Sequence, residues 1–144
     1  MNILAGANTT GSFEAGIDLI YCIGGFISRT KVLGNEARYG NAGFRIQSCV
    51  EVHFTDCHSN RFQYATLIKK YQPTDAQIEG IFFNSCFLYD CPWGLVAKDQ
   101  SIHINIIGTF FNINVTAGNT ACIDLTNCSQ PTISNNLIYV GVLS

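Results

Sequence analysis

The sequence predicts an all-β chain wound as a single-stranded parallel β-helix of about five coils. Three observations carry this. First, the 144 residues hold 17 Ile and 7 Val but only 4 Glu, 4 Lys and 4 Arg. Helix surfaces are furnished with Glu, Lys and Arg, whereas β-branched residues favour strands. Second, a short pattern recurs at a period of 23 to 28 residues, the size of one turn of a repeat array. Third, Asn and Gly number 13 each while Pro numbers 3. Asn and Gly supply tight corners and positive φ.

Each coil opens with one or two small residues followed by an apolar anchor. The copies are Ala15-Gly16-Ile17, Ala42-Gly43-Phe44, Ala65-Thr66-Leu67, Trp93-Gly94-Leu95 and Ala121-Cys122-Ile123, with anchors 27, 23, 28 and 28 residues apart. A second stretch follows in each: Gly25-Phe26-Ile27, Val52-His53-Phe54, Ile81-Phe82-Phe83, Ile104-Asn105-Ile106 and Pro131-Thr132-Ile133. Each reads in–out–in, the alternation of a strand with one buried face. A third stretch is Lys31-Val32-Leu33, Phe87-Leu88-Tyr89, Phe110-Phe111-Asn112 and Leu137-Ile138-Tyr139, with a weaker copy after Cys57. A leucine-rich repeat would need its own Leu spacing, which is missing.

Stacked coils set like residues above each other at about 4.8 Å. Cys22, Cys49 and Cys128 then share one corner column. Cys57 and Cys86 share another, continued by Thr30, Thr109 and Asn136. The seven cysteines contain no Cys-x-x-Cys pair, so the spacing favours buried free thiols over zinc ligands. Free thiols suit folding in a reducing cytoplasm.

The length fits one domain: residues 1–14 as an N-terminal cap or linker, and 15–144 as the β-helix. Five coils stand roughly 24 Å tall, and a stack this short needs capped ends. Residues 1–14 are expected to cover the lower end. The upper end finishes in Leu137–Leu143 with no polar residue to cap it, so a partner chain or further sequence is expected there. A net charge of -2 and the lack of a basic stripe argue against nucleic acid as a partner. No signal peptide is visible in the first residues. Gln100–Ile123 lacks Asp, Glu, Lys and Arg but is interrupted by His103 and several Asn, so membrane insertion is not expected.

The phrases Gly43-Phe44-Arg45-Ile46-Gln47-Ser48-Cys49 and Ile81-Phe82-Phe83-Asn84-Ser85-Cys86, together with the Asn/Gly/Thr corners, resemble right-handed single-stranded parallel β-helices of the pectate-lyase-like superfamily. Low charge and cytoplasm-compatible cysteines make the chain look most similar to the β-helix of a bacteriophage tailspike, over about residues 15–140. That resemblance implies a homotrimer on a virion tail, made in the bacterial host cytoplasm. It also implies recognition of a bacterial surface polysaccharide during host attachment, often with its depolymerisation by Asp and Glu. The polygalacturonase-like motifs Asp-Asp and Gly-His-Gly are absent, as are the Asp clusters that hold calcium in pectate lyases. No residue role transfers from the family, and no cofactor or metal is expected.

Candidate chemistry is therefore read from the columns. Glycoside hydrolysis needs two carboxyl groups about 5 Å apart for retention or 6.5–9.5 Å for inversion. Asp18 and Asp124 share an outward column but lie four coils apart. Glu51 and His53 point the same way. Gly80 and His103 stack above Glu51, and Phe82 and Asn105 above His53. Glu79 lies one position off the Glu51 column in the next coil. With a bulge in the third coil, Glu51 and Glu79 approach within about 5–8 Å and are the expected acid/base pair of a glycosidase within one chain, with acids from two chains meeting at a trimer groove as the equal alternative. His53, Phe82, His103 and Asn105 are the expected substrate-binding residues, with Trp93 as a further sugar-stacking candidate beside Tyr89 and Asp90. The alternative is an ordinary solvated face. The outward column Asp18, Arg45, Ile68, Val96, Asp124 exposes Ile68 and Val96 on this alignment, which suits a subunit interface. The polar insertion Lys69–Ala76 is either a binding loop or a surface excursion. Two rival functions remain: a structural virion spacer or trimer clamp, and a fragment of a cellular polysaccharide lyase or epimerase.

Overall fold

The computed structural model describes residues 2–4, 14–34, 40–115 and 121–142. Its strands are β1 (Asn2–Leu4), β2 (Ala15–Ile20), β3 (Ile23–Ser28), β4 (Lys31–Leu33), β5 (Gly40–Gln47), β6 (Val50–Thr55), β7 (His58–Asn60), β8 (Phe62–Lys69), β9 (Ile78–Asn84), β10 (Phe87–Cys91), β11 (Trp93–Ala97), β12 (Ser101–Ile107), β13 (Phe110–Val115), β14 (Ile123–Asp124), β15 (Cys128–Ser129), β16 (Thr132–Ser134) and β17 (Leu137–Val142). No helix occurs among the described residues, and every strand pairing is parallel. The chain is a parallel β-solenoid of about four turns. The expected fifth coil is present as a thin level, in which β14 and β15 are two residues each.

Three walls enclose the core. The first is β2-β5-β8-β11-β14. The second is β3-β6-β9-β12-β15, with β16 also on β12. The third is β1-β4-β7-β10-β13-β17. The second wall has the register that the in–out–in triplets imply. Ile27, Phe54, Phe83, Ile106 and Ile133 form one inward column. Within it Phe54 and Phe83 stack at 4.8 Å between ring centroids. Phe54, Phe83 and Ile106 are fully buried, and burying each contributes about 1.5–3 kcal/mol. The third-wall register also matches, with His58-Ser59-Asn60 as the weak copy. Of the expected cap, only Asn2–Leu4 and Glu14 are described. Asn2–Leu4 extends the third wall beside β4, and the rest of residues 1–14 lies outside the described residues.

The first wall corrects the alignment of the third coil. Phe44 pairs with Thr66, not Leu67, and Thr66 with Leu95. The outward column is therefore Asp18, Arg45, Leu67, Val96, Asp124, and Ile68 faces inward beside Ile46. Ile68 is 0% exposed and Val96 4%, so neither is the exposed interface residue expected. Leu67 and Val96 pack with Ala42 under Tyr64 and Trp93. The shift places Gly16, Gly43, Ala65, Gly94 and Cys122 in one column. The small size there is required: a Cβ on Gly43 would come within 1.8 Å of the Ser59 Oγ, which donates to the Ala65 carbonyl at 2.8 Å.

The cysteines have one structural reason. Asp56 and Ser85 turn the chain with positive φ. The next residue then reaches back: the Cys57 thiol donates to the Thr55 carbonyl at 3.4 Å and the Cys86 thiol to Asn84 at 3.5 Å. Cys49 and Cys91 do the same after Ser48 and Asp90. In the same column as Cys57, Thr30 and Thr109 use hydroxyls instead. All seven cysteines are free. Cys22 sits directly below Cys49, whereas Ile78 and Ser101 lie between Cys49 and Cys128. Burial pushes the Cys91 and Cys122 thiols up to about 12, and the Cys57 sulfur together with burial pushes Cys86 up.

Candidate functional site

The second wall carries a trough on its outer face. Its floor is the column Gly24, Glu51, Gly80, His103, fixed by the flanking pairs Ile23↔Val50, Gly25↔Val52, Val50↔Glu79, Val52↔Ile81, Ile102↔Glu79 and Ile104↔Ile81. All four residues take positive φ, at 68°, 57°, 67° and 54°. A left-handed residue inside a strand turns its side chain outward together with its neighbour's. Two outward columns therefore flank the floor: Ile23, Val50, Glu79, Ile102 on one side and Phe26, His53, Phe82, Asn105 on the other.

Part of the trough is a groove of about 330 Å³ lined by Val50, Glu51, Glu79, Gly80, Phe82, His103 and Asn105. Five of the sequence-derived candidates (Glu51, Glu79, Phe82, His103 and Asn105) thus come together. Gly80 leaves the floor open, since a Cβ there would stand 3.4 Å from both the Glu51 Cα and the Phe82 ring. His53 does not line this groove. It is stacked in the wall beside it, 4.7 Å from the Phe26 ring and 4.3 Å from Phe82, with the three ring planes nearly parallel. Trp93 lies on the first wall, packed at 6.0 Å against Tyr64, whose ring also carries the Lys98 ammonium at 4.7 Å. Asp90 turns to Arg61 at 3.3 Å and also accepts from Asn114. Trp93 and Asp90 therefore form no joint site with the groove.

The register puts Glu79 beside Val50 and Ile102. Its carboxylate meets His103 Nδ1 at 3.6 Å, which is an ion pair when the imidazole is protonated. Both side chains are about half exposed. The groove thus offers two carboxylates, an imidazole, an amide and the edge of the Phe82 ring within one concavity. That set matches hydroxyl groups and the apolar face of a sugar. Sequence reasoning missed Val50 as a lining residue, because an apolar residue at an outward position carries no chemical signal.

Other concavities among the described residues include two that differ in chemistry. One of about 430 Å³, lined by Gln100, Thr126, Asn127, Cys128 and Ser129, is larger but holds no carboxylate, imidazole or ring. The other, about 350 Å³, is lined by Arg29, Thr30, Lys31, Asp56 and His58. There burial and the Lys31 charge hold the His58 imidazole below its ordinary value. Among the described residues no group of three or more His, Cys, Asp or Glu is placed to hold a metal ion. The chain matches no protein-family model, no curated protein and no solved structure.

Proposed function

We propose that this chain is a glycan-recognition β-solenoid of the tailspike kind, which binds a bacterial surface polysaccharide during host attachment through the second-wall groove. One observation carries the reading: Glu51, Glu79, Phe82, His103 and Asn105 converge on a single groove beside a stacked aromatic wall. Hydroxyl-directed polar groups beside an apolar aromatic surface are what a sugar needs. Glu51 and Glu79 are the carboxylates available for cleavage, and as a glycosidase the protein would use them as its acid/base pair.

The test is titration of the purified chain with a panel of bacterial surface polysaccharides, followed by a reducing-end assay on any that bind. Wild type binds at least one of them. Glu51→Gln and Glu79→Gln keep binding and, where cleavage occurs, abolish it. A wild type that binds none of a broad panel overturns the reading.

A second reading has its own observation. Ile23 and Phe26 are each 78% exposed on the same wall, and paired apolar side chains this open suit burial between subunits. In a homotrimeric virion spacer they lie in the interface. Light scattering separates the two: a homotrimer whose glycan binding is absent supports the spacer.

A further inference from the structure

The segment 70–77, between β8 and β9, is built around one carboxylate. Asp75 accepts from the Tyr21 hydroxyl at 3.1 Å, the Ser48 hydroxyl at 2.5 Å and the Gln72 amide at 2.8 Å. The Ser48 Oγ in turn accepts from the Tyr71 amide at 2.9 Å. Hydrogen bonds from Ser48 and the Gln72 backbone hold the Asp75 carboxyl below the usual carboxylate range. The result is an exposed loop held in one shape. It presents two half-exposed rings, Tyr21 and Tyr71, meeting edge to face at 5.5 Å and 74°.

The position of this pair is informative. Tyr21 stands two residues before Ile23, and Ser48 two before Val50. Ile23 and Val50 form one flank of the trough. Past Asp75 the same loop runs directly into Ile78 and Glu79, and Glu79 and Val50 both line the groove. Tyr21 and Ser48 take positive φ at the corner that leads into this wall, so the pair stands where the chain turns onto the trough. The pair thus lies on the Val50–Glu79 side of the trough, the side away from Phe82.

We propose that the Tyr21–Tyr71 pair is an additional sugar subsite, which stacks the residue next to the one held in the groove, so that the polysaccharide enters across this corner. The inference rests on the glycan reading above. The ligand class is a polysaccharide whose adjacent pyranose offers an apolar C–H face to a tyrosine ring. Asp75 holds the rings before the ligand arrives, which removes the ordering cost that a mobile loop would impose on binding.

The test uses the full chain and graded fragments of whichever polysaccharide wild type binds. Tyr71→Ala weakens binding of fragments longer than the groove by about three- to tenfold and leaves the shortest bound fragment unchanged. Tyr71→Phe keeps the ring and keeps wild-type affinity at every length. Equal affinity of Tyr71→Ala and wild type for long fragments, with Phe82→Ala losing binding, overturns this subsite and leaves the groove standing. An equal loss at every length also overturns it, since Tyr71 then belongs to the groove itself. A wild type that binds no fragment overturns the subsite and the glycan reading together.

Discussion

The first and second walls follow one coil rule and treat their outer faces differently. On the first wall the outward column is closed. Arg45 donates to Glu14 at 2.9 Å and to Asp18, and Gln47 donates to Asp18 at 2.7 Å. Leu67 and Val96 lie under Tyr64 and Trp93. On the second wall the outward columns stay open: Ile23 and Phe26 face solvent and a trough runs between them. A solenoid needs its inner columns for stability, while each outer face is free to be closed or left for a ligand. The open face is therefore where function is sought.

The strongest way to break this contrast is within β9, where Phe82 and Phe83 are neighbours in sequence. Phe83 is 0% exposed, so Phe83→Ala is expected to cost about 3–5 kcal/mol of stability in chemical denaturation. Phe82→Ala removes an outward ring and is expected to cost no more than about 1 kcal/mol while removing glycan binding. Equal losses for the pair would contradict the assignment of faces.

The closed first wall is tested through its ion pair. Arg45→Ala leaves Asp18 without its main partner and is expected to cost about 1–3 kcal/mol. Burial alone raises the Asp18 pKa. Hydrogen bonds from Arg45 and Gln47, with the Arg45 and Lys69 charges, outweigh it and hold the carboxyl below its ordinary value. The folded value is thus lower than the unfolded one. The stabilisation is present above about pH 4 and is lost as pH falls through the folded value. Asp18→Asn is expected to flatten that part of the acid limb in a denaturation series against pH.

The trough floor gives a smaller effect. Gly80 stands at φ +67° with the Glu51 Cα and the Phe82 ring each 3.4 Å from where a Cβ would lie. Gly80→Ala is expected to cost about 1–2 kcal/mol from the left-handed backbone, and to weaken ligand binding by filling the floor. Glu51→Gly, in the same column, relieves that conformation. It is expected to change stability by less than about 1 kcal/mol while binding falls.

Much of this was legible in the sequence, for a stated reason. In Val52-His53-Phe54, Ile81-Phe82-Phe83 and Ile104-Asn105-Ile106 the inward positions are large and apolar, so the register follows from binary pattern alone. That register placed Glu51, Gly80 and His103 in one column and Phe82 beside Asn105. The third coil of the first wall inverts the pattern. Thr66 faces inward with its hydroxyl unpartnered, and Leu67 faces outward into an apolar cluster. Alternation read on hydrophobicity therefore slips by one residue there, and Ile68 was assigned to the wrong face. Trp93 opens the first stretch of its coil in the repeat, and the structure has it there, on the first wall beside Tyr64. The Tyr21–Asp75 contact spans 54 residues and joins two loops that share no repeat position, so no periodicity announces it.

The most direct test of the open second wall is amide chemical-shift mapping of the chain with a bound polysaccharide fragment. The account predicts shifts concentrated at Glu51, Glu79, Gly80, Phe82, His103 and Asn105, with the first wall around Tyr64 and Trp93 unmoved. Shifts centred on Tyr64 and Trp93, with the groove silent, would contradict it.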